Sequence, residues 1–332
     1  MYYALFILLA AAVVFLSIKL AKYVDLLDKT TKISGAFIGA VLLAAVTSLP
    51  ELFTSISATL IVRENELVLG NILGSNLFNF AVLGLALIVF IKRADTAKPN
   101  KSYILSLCAM LLIYALTALD VFLDVFPKIG WFSLSSPFIL IIYILFLFFT
   151  PKTKDGEDDA HTENFVSTLS LKQIIIRFTV CAVLLISASI AITYAADIVA
   201  EKLSLGKTFA GALLLGITTS LPETVSTLSL CRKRNYNAAF GNICGSNVFN
   251  CCIFAISDFL SFTKDSTDVY INNMSSTLLL IFGAAIGLLF VGFICLTLSE
   301  KERPVLTKTA AGALGILSIG AYIAFTVVSV VM

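Results

Sequence analysis

Thr47-Ser48-Leu49-Pro50-Glu51 stands in the first half of the chain, and the same five residues recur at 219–223 in the second half. Each copy precedes a ten-residue block, GNILGSNLFN at 70–79 and GNICGSNVFN at 241–250, in which eight of ten positions are identical. The offsets between copies are 172 and 171 residues in a chain of 332. Such a fixed offset is typical of an internal duplication, so the sequence predicts two fused copies of one unit.

The composition predicts a protein that crosses a membrane many times. Hydrophobic residues make up 59% of the chain and charged residues only 13%, far from the values of soluble domains. About 20 apolar residues are needed for a helix to span a bilayer. Ten stretches meet this need, at 2–23, 33–62, 66–91, 102–126, 131–150, 173–199, 207–231, 236–261, 274–298 and 306–331. The predicted fold class is therefore an all-α integral membrane protein with ten transmembrane helices.

The distribution of basic residues predicts the orientation, because cytoplasmic loops carry the excess of Lys and Arg. When successive connections are assigned to alternate sides, 18 of the 23 basic residues fall on one side. That side is predicted to be cytoplasmic, with both termini outside. Five helices per half is an odd number, so the two halves are predicted to be inverted repeats, an architecture common among secondary transporters. The predicted organisation is a first five-helix repeat at 1–150, a cytoplasmic linker at 151–172 and a second, inverted repeat at 173–332.

Two acidic residues are predicted to lie near the middle of membrane spans. Glu51 and Glu223 occupy equivalent positions of the two repeats, inside long apolar stretches. A charge at the centre of a bilayer is costly, so an ionisable residue there is a candidate functional residue by default. Because no Lys or Arg is predicted at the same depth, the counter-ion is expected to be a proton or a transported ion.

Oxygen-bearing side chains accompany each glutamate. Thr47 and Ser48 lie four and three residues before Glu51, which places all three on one helix face, and the second repeat has the same spacing. Pro50 is expected to kink the helix and to free a backbone carbonyl, as is Pro222 in the second repeat. In the second block a serine and an asparagine stand four residues apart, as Ser75 and Asn79 and as Ser246 and Asn250.

Together these groups form a set of hard oxygen donors with two carboxylates and no nitrogen or sulfur ligand. Such a set suits Ca²⁺ or Na⁺ and argues against zinc, copper or iron. Serine, asparagine and glycine also pack helices together in lipid without binding anything. Both blocks occur twice, each time with a buried glutamate. This repetition favours a binding site over helix packing alone.

The two motifs resemble the alpha repeats of the calcium/cation antiporter superfamily, and especially the compact prokaryotic sodium/calcium exchangers. The resemblance rests on both copies of Thr-Ser-Leu-Pro-Glu and of Gly-Asn-x-x-Gly-Ser-Asn-x-x-Asn. It implies exchange of Na⁺ for Ca²⁺ by alternating access, with both ions as transported substrates and with no cofactor and no enzymatic activity. The ion-binding residues that it implies are Glu51, Glu223, Thr47, Thr219, Ser48, Ser220, Ser75, Ser246, Asn79, Asn250, Ala44 and Gly216.

Two departures from the family pattern affect the expected site. The family usually has Gly before Thr-Ser, where this chain has Val46 and Thr218. Its best-known pattern has Asp in the second repeat, where this chain has Asn250, so two carboxylates remain instead of three. Two carboxylates neutralise one Ca²⁺ or two Na⁺, and therefore a stoichiometry of three Na⁺ cannot be assumed.

Other functions remain open at this stage. A buried glutamate can carry protons, so a proton-coupled exchanger of Ca²⁺ or another cation is the main alternative. A channel with the same fold and an intramembrane enzyme with glutamate as general base are others; the enzyme would need a second catalytic group in a span, and none is evident. The expected partners are the two ions and the lipid bilayer of an inner or plasma membrane, without nucleic acid. The oligomeric state is left open, and a monomer is compatible with the sequence.

Overall fold

Helices make up nearly all of the described chain. The computed structural model describes residues 2–62, 66–90, 101–152, 169–202, 216–262, 274–299 and 304–331. The longer helices are α1 (Tyr2–Thr30), α5 (Glu66–Phe90), α6 (Lys101–Leu123), α7 (Ser135–Phe149), α8 (Leu171–Lys202), α9 (Leu221–Arg232), α10 (Tyr236–Leu260), α11 (Met274–Ser299) and α12 (Pro304–Val331). Helices satisfy all their backbone hydrogen bonds internally, as lipid requires. The prediction of an all-α membrane protein is thus confirmed.

The second predicted span is a chain of short helical pieces. It comprises α2 (Gly35–Phe37), a first π segment (Ile38–Leu43), α3 (Ala44–Thr47), α4 (Leu49–Ser57) and a second π segment (Ala58–Val62). The π form is rare and is frequently found at functional sites. Two π segments in one span therefore mark this part of the chain as unusual.

The helix breaks fall within the two copies of the repeated Thr-Ser-Leu-Pro-Glu motif, at equivalent residues. Ser48 ends α3 with φ −92° and ψ 5°, and Ser220 precedes α9 with φ −86° and ψ 8°. Both stand two residues before a proline, which has no N–H to continue the helix. The predicted kink beside each glutamate is thus present, as an interruption one residue long.

Eight helices of the described residues are long and apolar enough to cross a membrane. They are Tyr2–Thr30, Gly35–Ile61, Val68–Phe90, Ser102–Leu123, Leu171–Ala196, Tyr236–Leu260, Thr277–Thr297 and Lys308–Val328. A shorter apolar helix, α7, has 15 residues. The predicted span at 207–231 is only partly described, because residues 203–215 lie outside the described chain. Ten spans and inverted repeats therefore stay predictions, as does the linker at 151–172, of which residues 153–168 are not described.

A small hairpin separates α6 from α7. Strand β1 (Lys128–Ile129) pairs antiparallel with β2 (Phe132–Ser133), and Gly130 in the turn has φ +70°. Ser133 holds the hairpin in place, because its hydroxyl donates to Asp120 Oδ2 at 2.6 Å and its N–H to Asp258 Oδ2 at 2.8 Å. The predicted span at 131–150 accordingly begins as a helix only at residue 135.

The described chain contains two compact units, each built from three stretches of sequence. The first unit comprises Met1–Pro50, Val89–Tyr103 and Thr150–Ser246, and the second comprises Glu51–Ile88, Ile104–Phe149 and Asn247–Met332. Each unit therefore includes residues from both halves of the sequence.

Close backbone approaches organise the first unit. Here α1 packs along α8 and α9. A Cβ atom at Gly241 would lie 2.5 Å from the carbonyl oxygen of Ala36, and one at Gly245 would collide with the backbone of Ala40. Only glycine lets helices approach so closely, so the glycines of the second block fix α10 against α2 and the first π segment.

Aromatic stacking and glycine contacts organise the second unit. The rings of Phe80 on α5 and Phe290 on α11 stack with centroids 5.3 Å apart. A Cβ atom at Gly84 of α5 would lie 2.8 Å from the carbonyl oxygen of Gly315 on α12. These contacts fix α5, which carries the first copy of the asparagine block.

Candidate functional site

Both glutamates lie in the first turn of a helix, directly after a break. Glu51 is in the first turn of α4 and Glu223 in the first turn of α9, and each side chain is 1% exposed. The N-terminus of a helix carries partial positive charge and free N–H groups, which stabilise a carboxylate. The break three residues before each glutamate thus places its carboxylate at the start of a helix, inside an apolar protein.

In the first unit, a serine of one motif contacts the glutamate of the other. Ser48 Oγ donates a hydrogen bond of 2.9 Å to Glu223 Oε1, and both residues are buried. A hydrogen bond to a carboxylate is charge-assisted and stronger than one between neutral groups. Two of the predicted site residues, 175 positions apart in sequence, therefore meet.

The two motif threonines make the same local contacts. Thr47 Oγ1 donates to the carbonyl oxygens of Leu43 at 3.1 Å and Ala44 at 3.4 Å, and Thr219 Oγ1 donates to that of Gly216 at 3.1 Å. The carbonyls of Ala44 and Gly216 each also accept a helical N–H from four residues on, at 3.0 and 3.2 Å. A carbonyl oxygen has two lone pairs. An ion bound at either carbonyl would therefore displace one of these bonds.

Asn242 links three helical segments of the first unit. Its Nδ2 donates to Ser226 Oγ at 3.2 Å and to Thr227 Oγ1 at 3.0 Å, and its Oδ1 lies 3.4 Å from Thr47 Oγ1. The asparagine is completely buried. It holds α10, α9 and α3 in fixed register beside Glu223.

Four asparagines of the second unit form a reciprocal network. Asn79 Nδ2 donates to Asn247 Oδ1 at 3.0 Å, and Asn250 Nδ2 donates to Asn76 Oδ1 at 3.0 Å. Asn76 Nδ2 donates to the carbonyl oxygen of Asn247 at 3.2 Å, and Asn247 Nδ2 to that of Asn76 at 3.4 Å. Each bond thus has a counterpart in which the equivalent residues of the two repeats are exchanged.

This network fixes the orientation of the side-chain amides of Asn76 and Asn247. A backbone carbonyl only accepts, so the amide nitrogens of Asn76 and Asn247 face the carbonyls and their oxygens face Asn250 and Asn79. The oxygens Oδ1 of Asn79 and Asn250 are buried and, among the described residues, accept no hydrogen bond. Buried acceptors without a donor are costly in a protein interior. They are well suited to bind a cation.

The remaining predicted site residues are buried, or partly buried in the case of Gly216. Ser220 and Ser246 are fully buried and Ser75 is 4% exposed. Ser246 Oγ makes no hydrogen bond within the described chain. The described residues contain no group of three or more His, Cys, Asp and Glu side chains that could hold a metal. The predicted donors are the carboxylates of Glu51 and Glu223 together with neutral oxygens, the type of ligand that suits Ca²⁺ and Na⁺.

Sequence reasoning did not assign roles to three of the buried asparagines. Asn76, Asn242 and Asn247 carry most of the hydrogen bonds just described. The sequence does contain a signal for these residues, because each of the three has an asparagine at the equivalent position of the other repeat. What could not be read from the sequence was which helices these side chains would join.

The comparison with protein families identifies the chain. The family model described as sodium/calcium exchanger protein matches residues 1–151 and 173–331. The inner membrane protein YrbG of Escherichia coli is 28% identical over 262 residues, covering 75% of this chain and 77% of the relative. The membrane protein MJ0091 of Methanocaldococcus jannaschii is 29% identical over 222 residues, covering 65% and 67%.

Solved structures give the same fold. Structures of the sodium-calcium exchanger NCX_Mj align with TM-scores of 0.69 and 0.70 at 19% and 20% sequence identity. They cover 97% and 98% of this chain and 96% and 98% of the NCX_Mj chain. The family model spans both copies of the repeated motifs as well as the helices between them. This chain is therefore a multi-pass membrane protein that belongs to the sodium/calcium exchanger family, a family of cation exchangers and not an enzyme class.

Proposed function

We propose that this protein is a secondary antiporter that exchanges Na⁺ for Ca²⁺ by alternating access, with Glu51 and Glu223 as the central ion ligands. The observation that carries the proposal is the burial of both carboxylates at helix N-termini within apolar spans. A negative charge so placed needs a positive partner, and a transported cation supplies one.

The neutral donors among the predicted ligands support the choice of ion. Ser48 contacts Glu223, and the free amide oxygens of Asn79 and Asn250 add uncharged hard donors. Ca²⁺ takes six to eight oxygen ligands in flexible geometry. We propose the other predicted ligands in the same role: Thr47, Thr219, Ser220, Ser75, Ser246, Ala44 and Gly216.

The reciprocal asparagine network supports the proposed architecture of ten spans in two inverted repeats. Exchange of Asn76 for Asn247 and of Asn79 for Asn250 leaves the pattern of hydrogen bonds unchanged. A two-fold relation between the repeats is expected to produce such pairs. The excess of basic residues at alternate connections supports the proposal that both termini lie outside. An inner or plasma membrane is the proposed location.

Uptake of radioactive Ca²⁺ into proteoliposomes tests the proposal. Vesicles loaded with Na⁺ should accumulate Ca²⁺, matched vesicles loaded with choline should not, and a pH gradient alone should drive none. Glu51→Gln and Glu223→Gln keep size and hydrogen bonding but remove the charge, so each should abolish uptake. Asp124→Asn removes a charge from an exposed residue and should leave uptake unchanged.

The other outcomes identify the alternatives. Uptake that follows the pH gradient and ignores Na⁺ would replace the proposal with proton-coupled exchange. Uptake that survives both glutamine substitutions would show that these carboxylates do not bind the transported ion.

A further inference from the structure

A row of buried oxygens extends from Glu51 along its own helix. Ser55 and Thr59 follow Glu51 at intervals of four residues, so the three side chains share one face of α4 and the second π segment. Their exposures are 1%, 0% and 1%. The row leads from the glutamate towards residue 62, where the segment ends.

Some buried hydroxyls of the described chain bond to their own helix, and others, including the two of this row, do not. Ser226 and Ser318 donate to the carbonyl four residues earlier in their own helices, at 2.6 and 2.7 Å. Ser55 Oγ and Thr59 Oγ1 make no hydrogen bond to any described residue. A buried hydroxyl that could bond to its own helix and does not is available to something other than protein.

A second row lies on the next helix. Asn71, Ser75 and Asn79 follow one another at intervals of four residues on α5. Asn71 Nδ2 is buried and makes no hydrogen bond to the described residues. Val62 and Glu66 are four residues apart, so the end of the second π segment and the start of α5 lie within about 14 Å of each other.

The equivalent residues of the other repeat are bonded to each other. Thr227 stands where the first repeat has Ser55, and Asn242 where it has Asn71. Asn242 Nδ2 donates to Thr227 Oγ1 at 3.0 Å, whereas Ser55 and Asn71 make no such bond. Cys231 takes the place of Thr59, so the row of oxygens is shorter in the second repeat. The open row is thus particular to the first repeat.

We propose that Ser55 and Thr59 line a hydrophilic approach along which cations reach Glu51 from the residue 62 end of its helix. This inference rests on the proposed function, since it assigns a route to the ions that Glu51 binds. Hydroxyl oxygens replace part of the hydration shell of Ca²⁺ or Na⁺. Because they are uncharged, they pass the ion on to the carboxylate without holding it.

Thiol labelling of Thr59→Cys tests this route. The full-length variant in proteoliposomes is treated with a small, cationic, membrane-impermeant alkylating reagent, and mass spectrometry reads the modification at each cysteine. Residue 59 should react at least about tenfold faster than Cys231, its counterpart in the same molecule. Saturating Ca²⁺ should slow the reaction at residue 59.

Two further variants keep the test decisive. Leu60→Cys places a thiol on the neighbouring residue, which is 36% exposed on the apolar outer face, and lipid should protect it. Ser55→Cys should react as Thr59→Cys does, and it replaces that variant if the latter does not fold. The inference would be overturned if the cysteines at positions 55 and 59 reacted no faster than Cys231 and the cysteine at position 60.

Transport separates this inference from the proposed function. Thr59→Val removes the hydroxyl at nearly constant volume and should raise the KM for Ca²⁺ severalfold, whereas Thr59→Ser should behave as wild type. Fast labelling at residue 59 in a protein that transports no Ca²⁺ would support the hydrophilic approach and contradict the proposed exchange function. Normal transport with no labelling would reject the approach alone.

Discussion

The single residue that most distinguishes this chain from the family pattern is Asn250. Its amide nitrogen donates to Asn76 Oδ1 at 3.0 Å, and that oxygen cannot turn away without loss of the bonds that Asn76 Nδ2 makes to Tyr114 Oη and to the backbone of Asn247. Position 250 therefore requires a donor. An asparagine supplies it at every pH, and an aspartate supplies it only when protonated.

Asn250→Asp is accordingly expected to lower the stability of the ion-free protein in alkaline buffer by about 1–3 kcal/mol, because two acceptors then face each other. In acidic buffer the protonated carboxyl donates as the amide did, so the loss should be smaller. Thermal unfolding in detergent at several pH values measures this.

Asn237→Asp is the matched control for that substitution. Tyr103 Oη donates to Asn237 Oδ1 at 2.8 Å, and a carboxylate oxygen accepts this bond equally well. The stability of the Asn237→Asp protein should therefore not fall in alkaline buffer. Equal unfolding temperatures for Asn250→Asp and wild type across the pH range would contradict the hydrogen-bond assignment.

The sequence was sufficient to find the carboxylates but not their surroundings. Glu51 and Glu223 stand out because a charge in an apolar span is rare and costly. That both lie at helix N-termini depends on the break at Ser48 and Ser220, which a proline predicts only to within a turn. The contact of Ser48 with Glu223 depends on tertiary packing, which no local pattern encodes.

At the scale of elements, the glycines of the second block determine where α10 lies. Gly241 and Gly245 face the backbone of Ala36 and Ala40, in α2 and the first π segment. Backbone atoms cannot move aside as a flexible side chain can. Since α10 also carries Asn247 and Asn250, a shift of this helix would disturb the asparagine network.

Gly245→Ala is therefore expected to destabilise the protein by about 1–3 kcal/mol, the usual effect of overpacking, and to reduce Ca²⁺ uptake. Gly292→Ala in α11 is the control, because its Cβ would meet no described atom within 4 Å. Alanine is a better helix former than glycine, so that control should be neutral or slightly stabilising. Size-exclusion chromatography after heating measures the thermal stability of both variants. A Gly245→Ala protein as heat-resistant as wild type would contradict the close packing of Gly245 against Ala40.

The elements were predicted with uneven success, for physical reasons. Long apolar stretches gave the spans, since lipid permits helices and little else. The π segments were not predicted, because they differ from an α-helix only in hydrogen-bond register. The hairpin was missed because Trp131 and Phe132 read as the start of an apolar span, although Pro127 and Gly130 are turn residues.

At the scale of the whole molecule, the number of carboxylates among the proposed ligands limits how many ions the protein can carry. Among the twelve proposed ligands, Glu51 and Glu223 carry negative charge, and Asn79 and Asn250 are neutral. Two Na⁺ or one Ca²⁺ compensate this charge. A third Na⁺ would leave a net positive charge in an apolar interior, which costs several kcal/mol without a partner.

Exchange is therefore expected to be electroneutral, with two Na⁺ moved for each Ca²⁺. Proteoliposomes loaded with Na⁺ and placed in a fixed K⁺ gradient, with and without valinomycin, measure this, because the ionophore sets the membrane potential while both ion gradients stay the same. The initial rate of Ca²⁺ uptake should not change. If three Na⁺ left for each Ca²⁺ that entered, one positive charge would move outward per cycle, and a potential positive inside would accelerate uptake. Such an acceleration would require a third negative charge at the site or a site that tolerates unbalanced charge.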